Sequence, residues 1–307
     1  MSGTFDDSEG WTRFDYGAPD GLVLSGRKYG FGHADSLPVI CLPGLTRNAA
    51  DFHELALHLS RDAARPRPVL ALDYRGRGLS QRDRNWRNYD VLTEAGDVLA
   101  AAEAAGIGEA AFVGTSRGGM ITMILSAMRP ALIACAVLND IGPQIEPRGL
   151  VRIRSYLEKD RDYPGWDVAA ATLKAAGQNH FPAWDDGMWM RQARRMYLES
   201  GRKIVRRYDP ALLKTLAEID FGHPLPTMWP QFAGLGRVPV IAIRGENSDI
   251  FAQETLERMQ ELHPRLESIT VPGQRHAPDL GTEDLPRRIA TFIASAEAKR
   301  AKARGKA

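Results

Sequence analysis

The chain has 307 residues, of which 44% are hydrophobic and 25% charged, with only two cysteines. This composition excludes a collagen, a disulfide scaffold and a wholly disordered chain, and the length suffices for one large domain or two modest ones. A net charge of +2 gives no field that argues for a nucleic-acid partner.

Segment 295–307 holds five basic residues and one acidic one, so without it the body stands at −2. The basicity is a property of the tail. Cys41 and Cys135 lie in the apolar runs PVICLPG and LIACAVL and read as buried thiols on strands. The opening MSGTFDDSEGW has neither the basic nor the apolar region of an export signal, and no apolar run is long enough to span a bilayer. The expectation is a cytoplasmic protein with no membrane partner, a monomer or a homodimer.

Short apolar runs alternate with helical patterns, the signature of an α/β domain with a mainly parallel sheet. A leading pair of strands ends near Phe31, with His33 in the turn that follows. The next strand is Leu37–Cys41, and Ala49–Ser60 is a helix. Val69–Asp73 is a strand, Val91–Ala105 a crossover helix, Ala110–Val113 a strand, Gly118–Met128 a helix and Ala131–Leu138 a strand. From Ile141 to Gly236 the rhythm breaks and no convincing strand is found. Asp185 and Asp209 look like helix caps there, the latter ahead of Pro210. Trp189, Ala193, Met196 and Tyr197 share a helical face. The core rhythm returns with strand Val238–Ile243, helix Glu254–Leu262, strand Leu266–Val271 and helix Leu285–Ala296, and the chain after Ala298 reads as a frayed tail. The expected organisation is a core of residues 1–140 and 237–298, an all-helical insertion at 141–236 and a basic tail at 299–307.

The strongest chemical signal is Gly114-Thr115-Ser116-Arg117-Gly118, a G-x-S-x-G between a strand and a helix. Only small neighbours permit so tight a turn, which lifts the serine hydroxyl above the sheet at a helix N-terminus where backbone N–H groups favour a developing oxyanion. Such a serine needs a base and a carboxylate to orient that base. Of seven histidines, His276 alone follows the last strand, on a loop at the same end of the sheet as Ser116. Two aspartates follow strands at that end. Asp249 is favoured because its loop and the His276 loop would leave neighbouring strands. Asp140 is the alternative acid, with a turn-forming role as the plainer reading, and Glu246 is a weaker third.

Gly114 to Gly118, Asp249 and His276, in this order, resemble the α/β-hydrolase superfamily, as does Asp73-Tyr-Arg-Gly-Arg-Gly-Leu-Ser80. The resemblance spans the chain from the first strands to the last helix, with 141–236 as a cap. It implies an α/β-hydrolase fold, a mainly parallel twisted sheet flanked by helices, with the cap inserted after the sixth strand. Members usually carry His-Gly after the third strand, whereas this chain has Pro43-Gly44-Leu45-Thr46. The resemblance implies that the amides of Leu45 and Arg117 form the oxyanion hole.

Weaker signals are read more plainly. His53 and His58 are five positions apart, too far round a helix to share a metal, and read as helix-surface residues. Gly76-Arg-Gly78 lacks the third glycine of a dinucleotide loop. Arg47, Arg117 and Arg275 adjoin site elements and would suit an anionic substrate if they faced it. Trp184 and Trp189, with Arg47, are candidate substrate-binding residues; the plainer reading of each tryptophan is a packing role. The resulting expectation is a serine hydrolase that acts on a small to medium, partly apolar carboxylic ester or lactone through an acyl-enzyme, without metal or organic cofactor. C–C bond hydrolysis, cofactor-free oxygen chemistry and a non-catalytic ligand-binding role are the alternatives on the same fold.

Overall fold

A computed structural model describes residues 9–32, 36–282 and 284–304; His33 and residues 305–307 lie outside that range. The leading strands β1 (Thr12–Gly17) and β2 (Val23–Tyr29) pair antiparallel, and β2 continues antiparallel onto β4 (Val69–Asp73). From β4 onward the sheet is parallel, through β3 (Val39–Leu42), β5 (Ala110–Thr115), β6 (Ile133–Asn139), β9 (Val240–Gly245) and β10 (Leu266–Val271). The strand order is β1-β2-β4-β3-β5-β6-β9-β10.

The central strands are apolar throughout because both faces of the sheet are covered. In β3, Ile40 and Leu42 join one core while Val39 and Cys41 join the other. The first core packs against α2 (Val91–Ala104), α3 (Arg117–Met128) and α9 (Gln253–Leu262). The second packs against α1 (His53–Ser60) and α10 (Leu285–Arg304). Both cysteines are free and buried, and burial pushes the Cys135 thiol up to about 12.

Three expectations change here. His53 is buried rather than on the helix surface, its ring 3.2 Å from the Tyr29 hydroxyl. With Ala56 and Ser60 it forms the stripe of α1 that faces the sheet. Helix α10 runs past Ala298 to Arg304, because the alanine-rich stretch sustains helix and Arg300 pairs with Glu109. The segment between β6 and β9 is not all-helical. Besides α4 (Pro147–Lys159), α5 (Trp166–Gly177), α6 (Asp186–Met196), the short α7 (Leu213–Ala217) and α8 (Trp229–Gly234), it contains an antiparallel hairpin of β7 (Tyr197–Ser200) and β8 (Lys203–Arg206). The hairpin forms because Gly201 takes φ +61° at the first position of a two-residue loop, where a positive φ matches the twist of paired strands.

Candidate active site

Strand register sets the first relationship. Thr115 of β5 lies opposite Asn139 of β6, and Asn139 opposite Ile243 of β9. One residue further along, the Ser116 amide donates to the Asn139 carbonyl at 2.9 Å, and the Asp140 amide donates to Ile243 at 2.7 Å. Ser116 and Asp140 therefore leave adjacent strands at the same level. They are also the two non-glycine residues with positive φ among the described residues, at 52° and 53°, and such strain collects at functional sites.

The turn at Ser116 is built by its glycines. A Cβ on Gly114 would sit 2.5 Å from the Gly118 backbone, and one on Gly118 would overlap the Leu42 carbonyl. The absence of both lets α3 start directly against β3 and β5, which projects the Ser116 side chain clear of the sheet.

The His276 loop brings its imidazole to this point. His276 Nε2 lies 3.0 Å from Ser116 Oγ, and Nδ1 lies 2.7 Å from Asp140 Oδ2. Asp140 is fully buried and accepts two further hydrogen bonds, from the Gly245 amide at 2.7 Å and the Ser248 hydroxyl at 2.6 Å. These donors fix the orientation of the carboxylate toward Nδ1. Serine, imidazole and carboxylate thus form one hydrogen-bonded chain, able to carry the serine's proton to the imidazole while the carboxylate fixes the tautomer.

Asp249, the favoured acid, makes no hydrogen bond to His276, whose ring nitrogens face Asp140 and Ser116. Its carboxylate turns instead to Arg152 on α4, with Nε at 2.6 Å and Nη2 at 3.0 Å, and to Arg275 Nη2 at 2.7 Å. Burial opposes its ionisation, but the Arg152 hydrogen bond and the two guanidinium charges outweigh it and hold the carboxyl below its ordinary value. Tight packing of α4 on the 249–250 loop, where a Cβ on Gly149 would stand 2.5 Å from the Asp249 carbonyl, draws the side chain toward the insertion. Glu246 is also elsewhere, accepting from the Gly273 amide at 2.7 Å.

The Leu45 and Arg117 amides meet no acceptor among the described residues, and a Cβ on Gly44 would come within 3.9 Å of Ser116 Cβ. These are free donors beside the serine, as an oxyanion requires. A buried chain of side chains links the two residues. Arg77 Nε donates to the Leu45 carbonyl at 2.8 Å and Nη1 to Glu94 Oε1 at 2.6 Å, while Glu94 Oε2 accepts from Arg117 Nε at 2.5 Å.

Ser116 and His276 open onto a cavity of about 390 Å³ whose walls come from both the core and the insertion. Arg47, Trp184 and Trp189 line it, as do Arg152, Tyr156, Gln192 and Arg195, which the sequence did not single out. Trp184 stacks with Phe181 at 4.5 Å between ring centroids, so the tryptophans also build the insertion's own core. The Arg117 side chain is engaged by Glu94 and the Tyr89 carbonyl. Ser248 and Glu94 carried no motif, and Arg77 stood only within the Asp73–Ser80 stretch, with no role assigned to it. The one local signal for Asp140 is that it directly follows its strand, whereas Asp249 lies four residues beyond the end of β9.

A mainly parallel sheet of this order with a strained strand-to-helix serine defines an α/β hydrolase. Residues 38–280 match the α/β hydrolase fold family, and the chain belongs to it. It is 27% identical over 248 residues to a 3-hydroxybutyrate-oligomer hydrolase of Cupriavidus necator, covering 78% of this chain and 82% of that one. It is likewise 27% identical over 235 residues to a 2-(acetamidomethylene)succinate hydrolase of Mesorhizobium japonicum, covering 76% and 79%. Among solved structures, an α/β hydrolase from Novosphingobium aromaticivorans superposes with a TM-score of 0.85 at 36% identity, covering 92% of this chain and 98% of that one. Among the described residues no helix is long and apolar enough to cross a membrane.

Proposed function

We propose that this protein is a serine hydrolase that cleaves a carboxylic ester or lactone of a small to medium, partly apolar substrate. The observation that carries the reading is the continuous hydrogen-bonded chain from Ser116 through His276 to Asp140 at the wall of a cavity. His276 Nε2 takes the Ser116 proton as Oγ attacks the substrate carbonyl carbon. The carbonyl electrons move to oxygen, which the Leu45 and Arg117 amides hold. Collapse of the tetrahedral intermediate breaks the bond to the leaving oxygen, which receives the proton from His276, and an acyl group remains on Ser116. Water, deprotonated by the same imidazole, then releases the acid and restores the serine. Asp140 keeps Nδ1 protonated and balances the imidazolium charge. The scheme calls on no metal or organic cofactor.

The names of the relatives support hydrolysis, and oligomers of 3-hydroxybutyrate are polyesters. The test is intact mass after exposure to a fluorophosphonate, with the native chain and Ser116→Ala side by side, followed by a panel of esters, lactones, an acetamido compound and a ring-cleavage dienoate. One adduct that disappears in the variant, together with ester or lactone turnover, is the expected result. Turnover of the dienoate alone would replace the ester reading with C–C hydrolysis. Absence of both adduct and turnover would remove the acyl-enzyme.

A further inference from the structure

Three arginines line the cavity, and their partners differ. Arg47 is matched by Asp51, to which Nε and Nη2 donate at 2.7 and 2.5 Å. Arg195 is matched by two carboxylates, Glu54 at 2.5 Å and Asp279 at 3.0 Å. Arg152 has only Asp249, and it shares that carboxylate with Arg275. Two guanidiniums therefore meet one carboxylate. Arg275 also donates to His180 Nε2 at 2.7 Å, so the imidazole acts there as a neutral acceptor and supplies no compensating charge. The acids that line the cavity, Asp51 and Asp279, are held by Arg47 and Arg195.

Arg152 is also the most open of the three, its side chain 33% exposed against 18% for Arg47 and 7% for Arg195. Asp249 occupies Nε and Nη2 of Arg152, and Nη1 has no partner among the described residues. Ile153 and Leu157 of the same helix also line the cavity, and an apolar surround strengthens a charge-assisted hydrogen bond.

We propose that Arg152, backed by Arg275, binds a free carboxylate on the substrate, so that the preferred substrates are esters that carry a carboxylate in addition to the scissile group. The second carboxylate completes a two-to-two set of guanidiniums and carboxylates on this wall. This rests on the acyl-enzyme reading above. Asp249, buried between two cations, is the fixed member of the set, and the substrate is the exchangeable one.

The test compares mono-4-nitrophenyl esters of C4 to C8 dicarboxylic acids with the corresponding neutral methyl 4-nitrophenyl diesters, on the native protein and on Arg152→Gln. In the variant Asp249 keeps Arg275, so no buried charge is orphaned. The readout is the ratio of kcat/KM for acid over diester within each protein, which cancels any loss of folded enzyme. The native ratio is expected to favour the acid by ~10- to 100-fold, the range for a hydrogen bond to a charged group, mostly through KM. Arg152→Gln should bring the ratio close to unity, and Arg152→Lys should restore part of it. A native ratio near unity, or one unchanged in Arg152→Gln, overturns the proposal. Calorimetric titration with monomethyl glutarate separates this failure from failure of the acyl-enzyme. Binding that Arg152→Gln abolishes supports the carboxylate site even when no ester is turned over, and absence of binding to the native protein removes it.

Discussion

Arg77 Nε donates to the Leu45 carbonyl at 2.8 Å from a fully buried position, so a guanidinium holds the peptide chain that presents one of the two free amides beside Ser116. Through Glu94 the same guanidinium is tied to Arg117, which carries the other amide. Oxyanion donors act through placement, and loss of one donor outright costs ~10²- to 10³-fold in kcat. Glu94→Gln keeps the volume but weakens both links. Its kcat should fall by about tenfold or more while KM changes little, and acylation by a fluorophosphonate should slow in parallel. Stopped-flow acylation beside steady-state kinetics checks this. A rise in KM at constant kcat would show that the brace serves substrate binding instead.

The two candidate acids should separate cleanly. Asp140→Asn removes the acceptor that fixes the His276 tautomer, and kcat should fall by on the order of 10⁴-fold. Asp249→Asn leaves that hydrogen-bonded chain intact and deprives two arginines of their counter-charge, so its chief effect should be a lower Tm. Kinetics and calorimetry on the pair decide it. The reverse pattern would return the orienting role to Asp249.

Gly114→Ala should damage the fold rather than the chemistry. A Cβ at that position would lie 2.5 Å from the Gly118 backbone, and backbone cannot yield as a side chain does. The cost should reach about 3 kcal/mol, the upper end for overpacking, or a Tm loss of about 5 °C for a chain of this size. A thermal melt of the purified variant reads it, and an unchanged Tm would mean that the turn relaxes freely.

His180 makes stability depend on pH. Burial, then the charges of Arg275 and Arg152, lower its pKa, so the unfolded chain takes up the proton before the folded one does. Stability should therefore decline as pH falls through about 6.5, the ordinary histidine value. Asp249 acts in a lower window. Its depressed folded value contributes stability above about pH 4, lost as pH falls further toward that folded value. In His180→Gln an amide oxygen can replace the acceptor, and the slope of Tm between about pH 7 and 5 should flatten. Equal slopes in the two proteins would assign the decline to other groups.

Much of this architecture is local and so is written in the chain. Apolar runs of strand length recur between helical patterns, and the Asp185 and Asp209 caps form as expected, accepting from Met188 and Ala211 at 2.8 and 2.9 Å. The β7–β8 hairpin escaped because its strands are four residues each, too short for alternation to register. The Ser-Gly-Arg-Lys turn at 200–203 was its only cue. His53 escaped because one helical turn fits either face until a sheet lies beneath it.

By itself the sequence determined the sheet, the turn that exposes Ser116 and the loop that delivers His276, since each depends on spacing, small residues and turn chemistry within a few positions. Only the tertiary structure decided which carboxylate meets His276. Asp140 and Asp249 both leave parallel strands at the same end of the sheet, and the one local difference, their distance from the strand end, does not say which of them reaches the imidazole. The choice came from strand register, which levels Asp140 with Ser116, and from α4, whose Arg152 draws Asp249 away. Both are relationships between segments distant in the chain, and they exist only once the segments have packed.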